Sequence, residues 1–515
     1  METIEKYGSG TVYEREEGHE SVTVECTAEH TLPDYMPEVR KILRVDARPI
    51  EGGSYLEEGR AEFSGIVAFT VLYTDGEGKP SAVSVNADYD LSVPHAGRIA
   101  YLSTELESAV CRPLAPRRLS LKAQLRCRPH LIGEHPLPAP ESEGCERLVT
   151  EMESRRTLLG ESGEIALSDT VTVAGISPEE LHPILCDGRL AFDECRVGKD
   201  GCTVRASVHA RVLAVTEEGR PMSFYSRIPI EREIDVEGVA AGDTALPMGE
   251  LSSLSVRATS DGEGGTLLEL DGTAECRVCL YRNERIFPTV AMYSPAHRIE
   301  TASTRLLTEA FVGGASGHYT VSGGTGASGD EKASLVLDTA ATATVRKITE
   351  EAGRPLVLGD VRVRMLLAGA VPEEGPTPCF AVEYTHPFRI EAPIRLPEGR
   401  EVRYECSVAP ILSRGRLEGN GYADDTELAL SLAVFAPSST SVICERRDYP
   451  DEAYPVRRGT VTVVYPKDGD TLFSVAERYH TTPASLALTN RLGELTNEEA
   501  ALPTSLDGVA FLLVE

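Results

Sequence analysis

The chain has 515 residues, 41% of them hydrophobic, so it is long enough for three or four domains and apolar enough to bury their cores. A formal charge of −30 argues against binding to nucleic acid or to an anionic membrane surface, both of which need clustered Lys and Arg. Aromatic residues make up only 6% and Trp is absent, so cores rich in Val, Leu and Ala are expected.

The opening METIEKYGSGTVYEREEGHE has neither an apolar signal core nor a small-residue cleavage site. No apolar run approaches the roughly 18 residues that span a bilayer. A cytosolic protein without a transmembrane segment is expected. A short helix is expected at PEVRKIL, where Pro37 suits the first helical position and Val39, Ile42 and Leu43 form a stripe.

One pattern then occurs three times: a long apolar strand, an acidic glycine turn and a second strand. The copies are AEFSGIVAFTVLYTDGEGKPSAVSVNADYDLSV, CTVRASVHARVLAVTEEGRPMSFYSRIPIE and DVRVRMLLAGAVPEEGPTPCFAVEYTHPFRI. Their turn glycines are Gly76, Gly219 and Gly375, chosen because glycine accepts the positive φ of a hairpin turn. In the second copy Cys202, Val204, Ala206, Val208, Ala210, Val212 and Ala214 share one face, and Thr203, Arg205, Ser207, His209 and Arg211 the other. That alternation predicts a strand with one packed and one wet face. In the first copy both faces are apolar from Ile66 to Leu72, which predicts a more central strand.

Further strands are predicted at 116–129, 266–284 and 426–437, each following its hairpin at a similar interval. The fold class is therefore mainly β, with three antiparallel, sandwich-like repeats: residues 1–150, 151–315 and 316–450. A fourth unit covers 456–515. The Gly/Ser-rich stretch around 317–334 reads as a linker, and the charged segment 444–459 as the lead to the C-terminal unit.

Chemistry-bearing patterns are sparse. Gly324, Gly326 and Gly329 match G-x-G-x-x-G, but antiparallel strand patterns surround them in place of a βαβ unit, so linker composition explains them. Cys276 and Cys279 form one CxxC with no second pair, on a strand where i and i+3 face opposite sides. Two buried thiols are expected there, with no metal. His182, His209 and His386 lie near acidic residues without metal-ligand spacing. No enzymatic activity and no cofactor are expected.

The C-terminal unit is the most specific signal. In DGDTLFSVAERYHTTPASLALTN, Gly469 permits a tight turn, and Asp470 or Thr471 can cap a first helix. Leu472, Val475, Ala476 and Tyr479 then share one helix face. Thr482 and Pro483 restart a second helix, Leu486 supplies its apolar contact, and Asn490 stops it. With a closing strand at LDGVAFLLV (506–514), the unit is βααβ.

These residues resemble the LysM family of small glycan-binding modules. The resemblance implies a shallow groove for N-acetylglucosamine polymers, with Gly469, Asp470, Thr471, Leu472 and Asn490 as candidate glycan- or partner-binding positions. The sequence departs from the family's pattern at Pro466 and in a long loop carrying Glu494, Glu498 and Glu499. Acidic groups at the rim suit a protein ligand better than peptidoglycan.

The N-terminal repeats carry a second resemblance. LPDYMPEVRKILRVDARP (32–49), TVLYT (70–74) and PRRLSLKA (116–123) resemble the SPOCS domain of envelope proteins in endospore-forming Firmicutes. In the second copy the Ile-Leu remains and Val-Asp-Ala does not, and the third is recognisable mainly by its hairpin. SPOCS repeats followed by one LysM module imply a spore-envelope assembly protein. It would act in the mother-cell cytoplasm at the forespore surface, with the coat-morphogenetic ATPase as partner. The alternative the resemblance leaves open is a peptidoglycan-binding wall protein.

Overall fold

The computed structural model describes residues 11–17, 20–57, 59–95, 97–326, 332–455, 459–492 and 505–514. The fold is mainly β and antiparallel throughout. The first repeat contains β1 (Val12–Glu16), β2 (Val22–Thr31), β3 (Lys41–Glu57), β4 (Arg60–Thr74), β5 (Pro80–Pro94), β6 (Ile99–Ala115) and β7 (Arg118–Pro136). A connecting strand β8 (Glu146–Val149) follows. The second repeat contains β9 (Met152–Val173), β10 (Leu181–Val197), β11 (Gly201–Thr216), β12 (Pro221–Asp235), β13 (Thr244–Ser260) and β14 (Thr266–Ile286). After the connector β15 (Thr289–Tyr293) come β16 (His297–Gly326), β17 (Leu335–Glu351), β18 (Arg354–Ala368), β19 (Cys379–Glu391), β20 (Arg403–Glu418) and β21 (Gly421–Ala453). The C-terminal module consists of β22 (Thr462–Val464), α1 (Leu472–Arg478), α2 (Pro483–Thr489) and β23 (Leu512–Val514).

Each repeat has the same topology. One three-stranded sheet is a meander: β3-β4-β5, β10-β11-β12 and β17-β18-β19. The other has the last strand in its middle: β7 between β6 and β1/β2, β14 between β13 and β9, and β21 between β20 and β16. Side chains from the two sheets share one core per repeat, around Phe63 and Leu121 in the first, Val208 and Leu268 in the second, and Val363 and Leu430 in the third. In repeats 2 and 3 a single long strand covers the whole central strand. In repeat 1 that role is divided between β2 and β1, which pair with successive halves of β7.

The meander sheets break register at matching places. β-Bulges fall at Leu43, Ile184 and Leu337, in the strand that opens each meander. A bulge shifts the phase of the strand, so neighbouring residues turn to different surfaces. Ile42 packs into the core of its own repeat, while Leu43 joins a cluster built from all three repeats. That cluster contains Leu43 and Leu72, Leu185 and Leu213, and Leu337 and Leu366.

Beside the leucines lies a buried layer of three carboxylates and three guanidinium groups. Arg44 Nη2 donates to Asp338 at 2.6 Å, and its Nε lies 2.7 Å from Asp46. Arg211 joins Asp187 at 2.7 Å and Asp338 at 3.0 Å. Arg364 lies 3.6 Å from Asp46 and donates to the Val45 carbonyl. Burial alone would raise the Asp187 and Asp338 carboxyls. The surrounding arginines (Arg189, Arg211 and Arg48 for Asp187; Arg211 and Arg44 for Asp338) outweigh it and hold both below the usual carboxylate range.

The hairpin turns meet at the same end of the molecule. Thr377 N–H donates to the Gly219 carbonyl at 3.3 Å. A Cβ on Gly219 would lie 2.7 Å from Cβ of Pro376 and would also face φ of +76°. In the first turn Gly78, not Gly76, takes the positive φ, at 91°. The turn glycine expected at Gly76 thus lies two residues further on.

Several expectations are corrected. The segment PEVRKIL is not a helix: residues 37–40 are irregular and Lys41 begins β3. The Gly/Ser stretch is a strand as far as Gly326, so the limit at 315/316 falls inside β16; Gly329 lies outside the described residues. Residues 444–453, read as a lead to the C-terminal unit, complete β21. On β11 the buried face is as expected, but the face read as wet is exposed only near its start. Ser207 and His209 are buried, and Arg211 reaches the third repeat. A strand can satisfy the alternation rule and still lose its wet face to a neighbouring repeat. Cys276 and Cys279 are both buried, and they enter different clusters, as opposite faces require.

Replacing Asp338 with Ala leaves Arg44 and Arg211 buried without their shared counter-charge, which costs about 3–5 kcal/mol. Urea unfolding of the full chain is expected to show that loss. It is also expected to show the three repeats melting together, because all three share the leucine layer.

Candidate binding site in the C-terminal module

The module folds as a two-stranded sheet covered on one face by two short helices. β22 and β23 pair antiparallel, Val464 opposite Leu512. Val464, Leu512 and Val514 point inward against Leu472, Val475, Ala476 and Leu486. Helix α1 starts from a full capping box. Thr471 accepts from Ser474 N–H at 3.1 Å, and Ser474 Oγ accepts from Thr471 N–H at 2.9 Å. Helix α2 starts at Thr482, which accepts from Ser485 N–H, with Pro483 as its first residue. The closing strand is shorter than expected: only Leu512–Val514 pairs, and residues 506–511 approach it as a turn.

The five candidate ligand positions are occupied in holding this fold. Gly469 makes an exposed turn with φ of +85°. Asp470 accepts from Lys467 N–H at 3.0 Å and pairs with Arg478 at 2.8 Å, which lowers its carboxyl below the ordinary value. Thr471 is the helix cap, and Leu472 is buried in the module core. Asn490 accepts from Leu513 N–H at 2.6 Å and donates to the Leu513 carbonyl at 2.7 Å. The turn that enters α1 meets the segment before β23: Thr471 pairs with Ser505, and Leu506 N–H donates to the Asp470 carbonyl at 3.2 Å. The side chain of Asn490 is directed instead to β23. Glu494, Glu498 and Glu499 lie outside the described residues.

A different surface is open. The strand alternation that turns Thr462 and Val464 inward turns Val461, Val463 and Tyr465 outward, and on the neighbouring strand Phe511 and Leu513. Val463 is 51% exposed, Tyr465 72% and Phe511 52%. The register that sets Val464 against Leu512 brings Tyr465 opposite Phe511. The signal for it in the sequence is the V-x-V-x-Y alternation of Val461, Val463 and Tyr465.

The module is fixed to the body by its far end. Tyr293 on β15 enters the module core, meets Phe473 edge-on at 5.0 Å between centroids, and donates its hydroxyl to the Thr481 carbonyl at 2.6 Å. Leu148 on β8 and Ala291 pack beside it, and Tyr454 stacks on His480. The connectors between repeats thus form the platform, and the α1–α2 turn is the foot.

Among the described residues one trio brings metal-competent atoms together: Glu16, His130 and Glu405, within 4.8 Å of one another. Arg403 pairs with both of these carboxylates, and Arg155 lies 3.3 Å from Glu16 and 3.9 Å from Glu405. Two guanidinium groups on the same oxygens repel a cation, so the trio is part of an ion-pair cluster. Of the histidines named from the sequence, His209 contacts Tyr225 and Ser207, and His386 lies 3.2 Å from the buried carboxylate of Asp424. No helix among the described residues is long and apolar enough to cross a membrane. Comparison with family models, with curated proteins and with solved structures finds no match to this chain.

Two substitutions separate the roles of these groups. Asn490→Ala removes three partly buried hydrogen bonds, costs about 2–3 kcal/mol, and is expected to speed hydrogen exchange at the Leu513 amide. Tyr293→Ala is expected to leave the repeats folded but to free the module, read as new protease cleavage between residues 453 and 462.

Proposed function

We propose that this chain is a non-enzymatic structural and assembly protein of the bacterial endospore envelope, built from SPOCS-like repeats and a LysM-like module. In this reading it works in the mother-cell cytoplasm at the forespore surface. There it docks coat-morphogenetic proteins, with the coat-morphogenetic ATPase as the first candidate. The repeats supply a rigid body and the module a second contact, so that weak contacts on one chain add as avidity.

The observation that carries this reading is the outward apolar face of β22 and β23. Contiguous exposed apolar side chains mark protein contact surfaces, and here Val463, Tyr465 and Phe511 stand together on one. The polar positions that a glycan groove would use are meanwhile engaged inside the module. Both facts favour a protein ligand over peptidoglycan.

A fluorescently tagged chain is expected to ring the forespore in sporulating cells. The double variant Val463→Glu, Tyr465→Ser should weaken the ring without unfolding the module, because both side chains point outward. Tagged protein spread evenly through the mother cell would overturn the reading. Strong sedimentation with purified peptidoglycan, undiminished in the double variant, would establish the wall-binding alternative in its place.

A further inference from the structure

The second sheets of the three repeats meet in a charge layer unlike the one beneath the leucines. Its carboxylates are Glu16 on β1, Glu309 on β16 and Glu405 on β20. Its permanent cations are Arg155 on β9 and Arg403 on β20. Arg403 pairs with Glu16, with Glu309 at 2.9 Å and with Glu405 at 2.8 Å. Arg155 reaches Glu16 at 3.3 Å and Glu309 at 3.5 Å. Both guanidinium groups also lie over the Phe435 ring, at 4.8 and 4.6 Å. Three negative charges thus face two fixed positive ones.

Among the described residues, the further basic group beside these carboxylates is His130 on β7. Its side chain is buried, its ring is stacked on Tyr101 at 4.5 Å, and its Nε2 meets Ser103 Oγ at 3.1 Å. Its Nδ1 has no closer partner than the two carboxylates, Glu16 at 3.6 Å and Glu405 at 3.7 Å. Matching registers place Cys279 and Ala433 at the equivalent positions of repeats 2 and 3, counted five residues past the pairs Leu125, Ala274 and Leu428 at the bulges. Only repeat 1 carries a group here that titrates near neutrality.

We propose that His130, with Glu16 and Glu405, forms a proton-operated clasp that pins strand β1 and the first repeat onto the third, and loosens as the medium turns alkaline. Strand β1 is the piece suited to release. It is five residues long, separate from β2, and it delivers two glutamates to the interface. Glu14 is held by Arg98, Arg156 and the Thr157 amide, away from the histidine. Glu16 shares a site whose balance depends on one proton.

Burial pushes the His130 imidazole toward neutrality, but the Glu16 and Glu405 carboxylates beside it outweigh that and raise its pKa above the usual value. A raised histidine stabilises the folded state fully below the unfolded pKa of about 6.5, and the contribution disappears as pH climbs through the folded value. Glu405 and Glu16 are both lowered despite burial, so their own contribution fails only in acid. The clasp is therefore closed from mildly acid to near-neutral pH.

Other groups face the histidine or titrate in the same range. Tyr101 on β6 and Tyr281 and Cys279 on β14 are buried and raised, so they stay neutral throughout. Glu51 on β3 and Glu250 on β13 are the competitors. Burial raises them to about 7 and about 8, and both ionise as pH rises.

The clasp is tested on the full chain. With 13C-labelled histidine, the His130 Cε1 signal is expected to titrate above 6.5 in the wild type and to fall toward it in Glu16→Gln. Hydrogen exchange within β1, corrected for intrinsic rates, should accelerate between pH 6 and pH 8.5, by up to about tenfold for each pKa unit that His130 is raised. His130→Gln should abolish that acceleration, and Glu250→Gln should keep it. A His130 pKa at or below 6.5 in the wild type would overturn the proposal, even if His130→Gln failed to fold. So would β1 exchange whose pH dependence survives in His130→Gln, or vanishes in Glu250→Gln.

Discussion

The structure depends on the layer where three repeats press six leucines together beside three aspartates and three arginines. The leucines supply the association, since each buried side chain contributes about 1.5–3 kcal/mol on leaving water. The charged groups supply little net stability, because dehydrating them consumes most of what their attraction returns. Their effect is on register. Arg44, Arg211 and Arg364 each reach a carboxylate of a neighbouring repeat, so a slip of one residue would strand several charges at once. The bulges at Leu43, Ile184 and Leu337 are what make this possible, because each turns one leucine out of its own sandwich and toward the shared surface.

The second sheets repeat the arrangement with a different balance. Arginines and carboxylates again bridge the repeats, with Glu309 and Glu405 from the third, Arg155 from the second and Glu16 from the first. In the first layer the cations are all guanidinium groups. In the second, one of the cations is an imidazole. The two layers hold the same three bodies together, yet only one of them responds to protons. The strand that responds is the short β1, whose Tyr13 packs with Leu137, Met152 and Ile286 and not in the first repeat's main core.

Much of the fold was legible because period-two alternation is a direct image of a strand with a packed face. The hairpins and the strands that follow them lie where the sequence placed them. The failures have physical causes. Val39, Ile42 and Leu43 looked like a helical stripe at i, i+3 and i+4. A strand with a bulge produces the same spacing, because Ile42 and Leu43 both find apolar surroundings, one inside the repeat and one between repeats. The Gly/Ser run read as a linker is a strand in which glycine is required by a neighbour: a Cβ on Gly323 would fall 2.0 Å from the His386 ring. Contacts between repeats left no periodic mark at all, so His209 and Arg211 read as ordinary polar positions on a wet face.

The C-terminal site was legible in its helices and illegible in its surface, for one reason. A helix cap and a ligand groove ask for the same residue types, short side chains with oxygen acceptors and glycine in a turn. Thr471 and Asn490 fit both descriptions, and their hydrogen bonds run inward. Once these groups are committed to the fold, recognition falls to what the fold leaves outside. Tyr293 and Tyr454 hold the module by its α1–α2 end, so the sheet face with Val463, Tyr465 and Phe511 is left uncovered by that attachment. A module fixed in this way presents its apolar face in a set direction from a rigid body. That orientation lowers the entropy cost of a second contact, which a freely tethered module would have to meet in full.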